Sequence, residues 1–331
     1  MGWLARASSV GLLCSLLPLA TGPGQAQALA QPGAAPAVAP AGDAGRVAAT
    51  GGLVFVLDPA IIIESQDVAI AIGEIKVTYV MRNTTAAERT ILAAFPLPEL
   101  DTSAIGDQPI KLASPQAANF VSAAFNIDGA PAPIEIEQRA LALGLDVTAQ
   151  LAVHQVSLQP FDRATAGQIK RLPKATKTDF LQRGILRQED GRVEPNWTLK
   201  TTAFWAQRFP PRKTVTIVLS YRPVTATAAY QAQLLDTVRP THCLDAAADA
   251  AITRKVAAQG GKVAFTWASF VPGSGTSLLG PIRQFRLRLE KPTIDTVVVT
   301  CRRDFRQLGP TTLEWAAQNY QEEDLHILFI D

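Results

Sequence analysis

The chain is poor in the residues that carry most enzyme chemistry. Its 331 residues include three cysteines, three histidines and two methionines. The cysteines form no CxxC, so the spacing of a structural zinc site is missing. None of the histidines, His154, His242 and His326, has a second one at helical ligand spacing, and there is no HExxH. A GxSxG elbow is absent too, which removes support for a serine hydrolase of that type. Gly273 to Gly280 is rich in Gly and Ser but lacks the Lys-Ser/Thr ending of a phosphate loop. Charge is nearly balanced, with 31 basic and 29 acidic residues and a net of +2. Its short basic clusters, Lys170-Arg171, Arg212-Lys213 and Arg302-Arg303, read as solvated faces. Without a long basic run, nucleic acid is not an expected partner. Beyond the N-terminus, no run is long and apolar enough to span a bilayer, and no internal repeat is visible.

The first residues read as a secretory signal. Arg6 is the early charge, Val10 to Ala20 the apolar core, and Ala26-Gln27-Ala28 a small-x-small cleavage site after Ala28. An N-terminal membrane anchor is the alternative, but the run is short and Pro18 interrupts it. Cys14 invites a lipid-attachment reading, which Leu13 opposes because a small residue is needed there. Residues 1–28 are therefore expected to be removed, and residues 29–52, rich in Ala, Pro and Gly, to form a flexible leader. The expected location is periplasmic or secreted. Cleavage leaves Cys243 and Cys301 in an oxidising compartment, where an even pair reads as one disulfide. That bond would close a loop of roughly sixty residues, worth about 4 kcal/mol in the chain-entropy model. A free pair of thiols is the alternative.

What the chain has in quantity is apolar residues, at 47%, ample for a core. Asn196 to Val224 is its most strand-like stretch. Thr198 to Trp205 is rich in β-formers, and Val215, Ile217, Leu219 and Tyr221 alternate with Thr216, Val218 and Ser220. Phe209-Pro210-Pro211 separates the two runs, since proline cannot donate to a ladder. The expectation is a central hairpin of a β-sandwich. Upstream, Ile75, Val77, Tyr79 and Met81 share one face of a strand. Asn83-Thr84-Thr85 supplies turn chemistry, and Arg89 to Phe95 reads as the partner strand. Asn83 also fits a glycosylation acceptor, but is read as a turn residue. Phe120 to Phe125 reads as a strand, Asp128-Gly129 as a hairpin turn, and Ile134 to Gln138 as the return.

Helical spacing replaces strand spacing over residues 140–187. One helix is expected from Asp146 or Thr148 to about Val156, another from Pro173 to Arg183, closed by Gly184. Thr225 to Thr241 is weakly patterned. A helix capped by Asp245 runs to Ala258, and strands follow at 263–270, 282–289, 296–301, 312–315 and 325–330. The fold class is mainly β. A β-sandwich spans 53–224 with a helical insertion at 140–187. A second β-rich unit carrying one helix spans 225–331.

An ordered set of motifs accompanies this pattern. It comprises Tyr79 to Asn83, Phe95-Pro96-Leu97-Pro98, Glu137-Gln138-Arg139-Ala140, Asp146-Val147-Thr148, Phe204-Trp205, Phe209-Pro210 and Tyr221-Arg222-Pro223-Val224. Cys243-Leu244-Asp245, Gly280-Pro281-Ile282 and Phe285-Arg286-Leu287 complete it. Together they resemble the bacterial exported family known as domain of unknown function 4424. The chain departs from that family at Ala206, where an acidic residue is common, and at Thr225, where glycine is usual. A looser likeness to vault and inter-α-trypsin β-sandwich domains bears on architecture more than on function.

Candidate chemistry is sparse. His242 beside Cys243 could make a nucleophile pair, although a disulfide next to an ordinary histidine explains both. His154 is expected on a surface and His326 facing solvent. Glu135 and Glu137 share a strand face, either for acid–base work or as a solvated outer face. Glu322-Glu323-Asp324 lacks the spacing and glycine of a calcium loop. Trp197, Trp205, Trp267 and Trp315 fall on expected strands, where tryptophans fill cores more often than they stack on sugars. With Phe204 next to Trp205, the two point to opposite faces, so one of them is expected outward or under the helical insertion. No cofactor, metal or catalytic residue is assigned. The expected function is a non-catalytic interaction module that binds another envelope protein at a sheet edge. A glycan or small-ligand binder is the first alternative, and an enzyme whose site assembles only in the fold is the second.

Overall fold

A computed structural model describes residues 50–56, 58–105, 110–271, 281–321 and 325–331. Signal residues 1–28 with Ala28, the leader up to residue 49, the Gly273–Gly280 loop and Glu322 to Asp324 lie outside the described residues. The chain is mainly β. Strands of four or more residues in its three large sheets are numbered in chain order. They are β1 (Ile61–Ala71), β2 (Glu74–Asn83), β3 (Arg89–Pro96), β4 (Ala124–Ile127), β5 (Glu135–Ala142), β6 (Thr198–Phe209) and β7 (Thr214–Tyr221). After them come β8 (Thr225–Ala229), β9 (Ala264–Val271), β10 (Ile282–Glu290), β11 (Val297–Thr300), β12 (Thr312–Tyr320) and β13 (Leu325–Ile330).

Sheet I runs Arg306–Gln307, β12, β10, β1, β2, β7, β4, Ala130–Pro131. Sheet II runs Leu145–Asp146, β5, β6, β3, Val54–Phe55, with Leu100–Asp101 also on β6. Sheet III runs β11, β13, β9, β8, Ile110–Lys111, and Thr50–Gly51 pairs with β9. Sheets I and II face each other. Phe95 of β3 meets Phe125 of β4 at 5.6 Å and Tyr221 of β7 at 5.2 Å, and Phe125 meets Trp205 of β6 at 5.3 Å. The alternation dictates this. Ile75, Val77, Tyr79 and Met81 are buried together, as are Val215, Ile217, Leu219 and Tyr221. The buried Tyr79 hydroxyl accepts from the Leu53 amide at 2.9 Å, so its polar end is satisfied inside.

The expected central hairpin is corrected. Both strands exist, but β6 pairs with β5 and β3 whereas β7 pairs with β2 and β4. They lie in opposite sheets. Pro210 and Pro211 remove two ladder donors, and Arg212 takes a left-handed φ of 58°, so the chain steps across the core instead of folding back in plane. The same correction applies to Arg89–Phe95. β3 is not the partner of β2 but crosses into sheet II, beside β6. Alternation says which face of a strand is buried, and both arrangements bury the same faces.

Asn83 locks the two crossings together. Its Nδ2 donates to the carbonyls of Ala87, Phe209 and Pro210 at 2.8, 3.0 and 3.2 Å. Its Oδ1 accepts from the Thr85 amide and hydroxyl at 2.9 and 2.8 Å. The Arg212 amide donates to the Thr85 carbonyl at 2.9 Å. Asn83 is fully buried, in keeping with a turn residue and not with a surface acceptor for sugar.

The helical insertion has its own core of Ala140, Val147, Leu151, Ile169, Phe180, Ile185 and Trp197, among others. Helices α1 (Thr148–Val153), α2 (Arg163–Arg171) and α3 (Lys174–Gln182) build it. α3 ends at Gly184 as expected, with φ +66°. α2 was not anticipated; Asp162 caps it by accepting from the Ala164 amide at 3.2 Å. Further differences are local. Phe120 and Val121 are buried in a turn rather than a strand, because Ser122 takes a left-handed φ of 52°. The Asp128–Gly129 turn returns through Ala130–Pro131, while residues 135–142 leave for sheet II.

The division at residues 224/225 does not describe the strands either. β10 lies parallel to β1, pairing Leu287 with Val68, so the late chain completes sheet I. The described residues on both sides of that division belong to one compact unit. Among the described residues the late region carries two helices, α4 (Ala232–His242) and α5 (Ala246–Ala258), not one. α4 holds Pro240 within it, which hides its pattern. α5 is capped as expected, with Asp245 accepting from the Ala248 amide at 2.8 Å.

Candidate functional site

Cys243 and Cys301 form a disulfide, with their Cα atoms 4.9 Å apart. The bond ties the C-terminal end of α4 to the end of β11, and both cysteines are exposed. Arg303 braces the same corner, donating to the Cys243 carbonyl at 2.7 Å and pairing with Asp245 at 2.6 Å. Because Cys243 is bridged, it supplies no thiolate for a Cys-His pair.

His242 ends α4 and is buried. Its ring centroid lies 6.0 Å from that of His326 on β13. His326 is half-buried beside it, which corrects the expectation that it faces solvent. Two observations explain the contact. The β11–β13 register ends at Thr300 opposite Ile327, so one further residue brings Cys301 alongside His326. Cys301 is bonded to Cys243, next to His242. Burial pushes the His242 imidazole down to about 4, the neighbouring His326 adds to this, and the hydrogen bond with the Val238 carbonyl opposes it. At neutral pH His242 is uncharged. The third histidine, His154, is exposed, with its ring against Phe180 at 5.3 Å. Among the described residues, no group of three or more His, Cys, Asp or Glu is placed to hold a metal ion.

Of the four tryptophans expected on strands, three are inside. Trp197, Trp205 and Trp267 are buried, and Trp197 Nε1 donates to the Leu158 carbonyl at 2.8 Å. Trp315 is half-buried against Phe285 and Tyr320, under the guanidinium of Arg302 at 4.4 Å. They do not form an exposed aromatic row. Glu135 and Glu137 are exposed on the outside of β5, and Glu137 pairs with Arg139.

The outer faces of sheets I and II differ in kind. On sheet I several charges are paired. Arg82 meets Glu64, Arg286 meets Asp67, and Glu314 lies among Arg306, Arg288 and Arg286. The hydrogen bond from Arg306 comes first among the causes that hold the Glu314 carboxyl below its usual range. Sheet II presents a contiguous apolar strip instead. Phe204 pairs across to Ala94 and Ala94 to Val54, while Ala206 pairs to Leu92, whose carbonyl accepts from Val56. Val56 and Leu92 are 56% and 47% exposed. Phe204 is the outward member of its pair with Trp205. Ala206 sits in the middle of this strip and keeps it free of charge.

The strip is bordered by Glu135, which lies opposite Phe204, and on the other side by the Glu88–Arg208 pair. Beyond it, β5 has an open edge. Among the described residues its far side is paired only at Leu141 and Ala142, so Glu135 to Arg139 carry outward backbone groups with no adjoining strand. Neither strip nor edge is visible in sequence. Both follow from which strands become neighbours, although alternation alone puts Phe204 and Trp205 on opposite faces.

The class defined by these features is a mainly-β, disulfide-bridged sandwich with a helical insertion. The chain belongs to the family described as domain of unknown function DUF4424, whose model matches residues 41–328. A search of curated proteins finds no match. A solved structure from Legionella pneumophila, described as "a putative nutrient binding protein", is similar at 14% identity and TM-score 0.45. That likeness covers 85% of this chain and 70% of that one. A two-domain M1 zinc metallopeptidase mutant bound to L-tryptophan is similar at 5% identity and TM-score 0.21, over 82% of this chain and 43% of that one. Likenesses of this size carry no argument here.

Proposed function

We propose that the chain is a non-catalytic interaction module, exported to the bacterial envelope, that docks another envelope protein on the outside of sheet II. The observation that carries the reading is the apolar strip of Val56, Leu92, Phe204 and Ala206 beside the open edge of β5. Contiguous exposed apolar surface on a soluble face marks an interaction site, and an open edge accepts an extended segment through main-chain hydrogen bonds. The matching partner offers a strand to Glu135–Arg139, with apolar side chains toward Phe204 and basic ones toward Glu135 and Glu137. Export is motivated by the signal-like residues 1–28, and a disulfide fits an oxidising compartment. No reaction is assigned to the module.

Site-directed photo-crosslinking in the native envelope tests this. Probes at Glu137 and Ala206 should give one shared adduct. A probe at Ala316, exposed on the ion-paired face, should give none. The adduct should disappear with Glu135→Lys. If positions 137 and 206 yield no adduct, or the same one as position 316, the reading fails.

A further inference from the structure

We propose that the helical insertion docks on the surface of an anionic lipid bilayer. The turn at Leu143 to Leu145 is its apolar wedge, and the cations where α2 meets α3 are its headgroup contacts. The proposal does not rest on the docking surface of sheet II, whose exposed side chains are different ones.

Leu143, Val153 and Leu145 are 79%, 78% and 70% exposed, the three highest values among the large apolar side chains of the described residues. They border the same end of α3. A methyl group built on Gly184, just past that end, would lie 2.8 Å from Leu143 Cδ1, so the turn abuts it. Val153 precedes His154, whose ring lies 5.3 Å from that of Phe180 in the last turn of α3. Single exposed apolar residues are ordinary on a protein surface, but the three most exposed ones gathered at one helix end are not.

The backbone gives the same indication. Leu143 and Gly144 link Ala142 to Leu145 across a two-residue turn, with φ of +51° and +80°. Positive φ at both positions is what a type I′ turn requires, and its first place suits Asn, Asp or Gly. Leucine there is disfavoured twice, by its Cβ in the left-handed region and by the water around its side chain. Entry into an apolar medium outside the molecule offsets both.

The charge around the wedge identifies the medium. Residues 140–187 hold seven basic and three acidic residues, a net of +4, whereas the rest of the chain nets −2. Lys170, Arg171 and Lys174 are exposed and make no ion pair among the described residues. Helix α3, nine residues and so roughly 14 Å long, puts these three cations at one end and the apolar side chains at the other. Apolar side chains that enter the boundary between headgroups and acyl chains, beside cations that attract anionic headgroups, make a peripheral membrane contact. A fluid lipid layer also accepts separate protruding side chains without the matching pockets that a folded partner must supply.

The experiment is vesicle co-sedimentation with the oxidised chain as purified from its native host. The vesicles are phosphatidylcholine alone, or phosphatidylcholine with an equal part of phosphatidylglycerol. The expected result is binding to the phosphatidylglycerol vesicles that weakens as NaCl is raised, and binding to phosphatidylcholine at least about tenfold weaker. Leu143→Asn suits the turn better than leucine, so the variant keeps the fold, and it should weaken binding about tenfold. Lys170→Glu combined with Arg171→Glu should weaken it at least about tenfold. A residue-resolved readout needs no variant. In bicelles of the same two lipids, doxyl-labelled lipid should broaden the methyl resonances of Leu143, Leu145 and Val153 and leave those of Val56 and Leu92 sharp. The proposal is overturned by no binding to the phosphatidylglycerol vesicles, by equal binding to both kinds, by binding that survives Leu143→Asn, or by broadening confined to other methyl groups. Dimerisation without lipid that Leu143→Asn abolishes would make the turn an interface between copies and would overturn it as well.

Discussion

The side-chain amide of Asn83 donates to the main-chain carbonyl of Phe209 at 3.0 Å, across 126 residues of sequence. This contact joins the two places where the chain crosses from one sheet to the other. Asn83→Ala would leave the carbonyls of Ala87, Phe209 and Pro210 without that donor, in a buried site. A loss of about 2–4 kcal/mol is expected, read as a lower urea midpoint with an unchanged slope. Asn83→Asp should be at least as harmful, because a carboxylate cannot donate to those carbonyls.

Trp205 and Leu92 lie in the same sheet but point opposite ways. Trp205→Ala empties a site packed against Phe125 and should cost about 3–5 kcal/mol. Leu92→Ser removes exposed apolar surface and should change stability by no more than about 0.5 kcal/mol. Chemical denaturation of the two variants distinguishes these outcomes. A large loss from Leu92→Ser would mean that the strip is covered within the molecule.

Reducing the Cys243–Cys301 bond releases the end of α4 from the end of β11. A cost of about 2–5 kcal/mol is expected. Guanidinium unfolding with and without a dithiol measures it. Cys243→Ser should reproduce the effect of the dithiol and abolish any further response to it.

The folded chain keeps His242 neutral, with its pKa pushed from 6.5 down to about 4 by burial and then by His326. The unfolded chain therefore binds the proton more readily between those values, and protonation favours unfolding. Stability should be fully present above pH 6.5, fall as pH drops toward about 4, and stop falling from this cause below that. The whole effect is on the order of 3 kcal/mol. Urea midpoints across this window, compared with those of His242→Gln, measure it. The variant should show the shallower decline.

Much of the fold was legible because local physics acts on neighbouring residues. The alternation of Val215 to Tyr221 marked β7, Asp245 marked the start of α5, and Gly184 marked the end of α3. α4 was not legible, since Pro240 and its polar residues blur the helical period. The candidate sites were legible only in fragments. Phe204 next to Trp205 showed that the two rings face opposite sides of the strand, but not that Val56, Leu92 and Ala206 would surround the outward one.

The sequence by itself determined the class of fold, the faces of the strands, several helix ends and the pairing of the two late cysteines. Those depend on side-chain period, on caps and on how few thiols the chain carries. Only the tertiary structure decided that β6 and β7 belong to opposite sheets, that β10 completes the early sheet, and that His242 meets His326. The reason is physical: a period of two fixes a buried face yet is indifferent to the identity of the neighbour. The neighbour is chosen by the packing of the whole core and by a few long-range contacts such as Asn83 to Phe209.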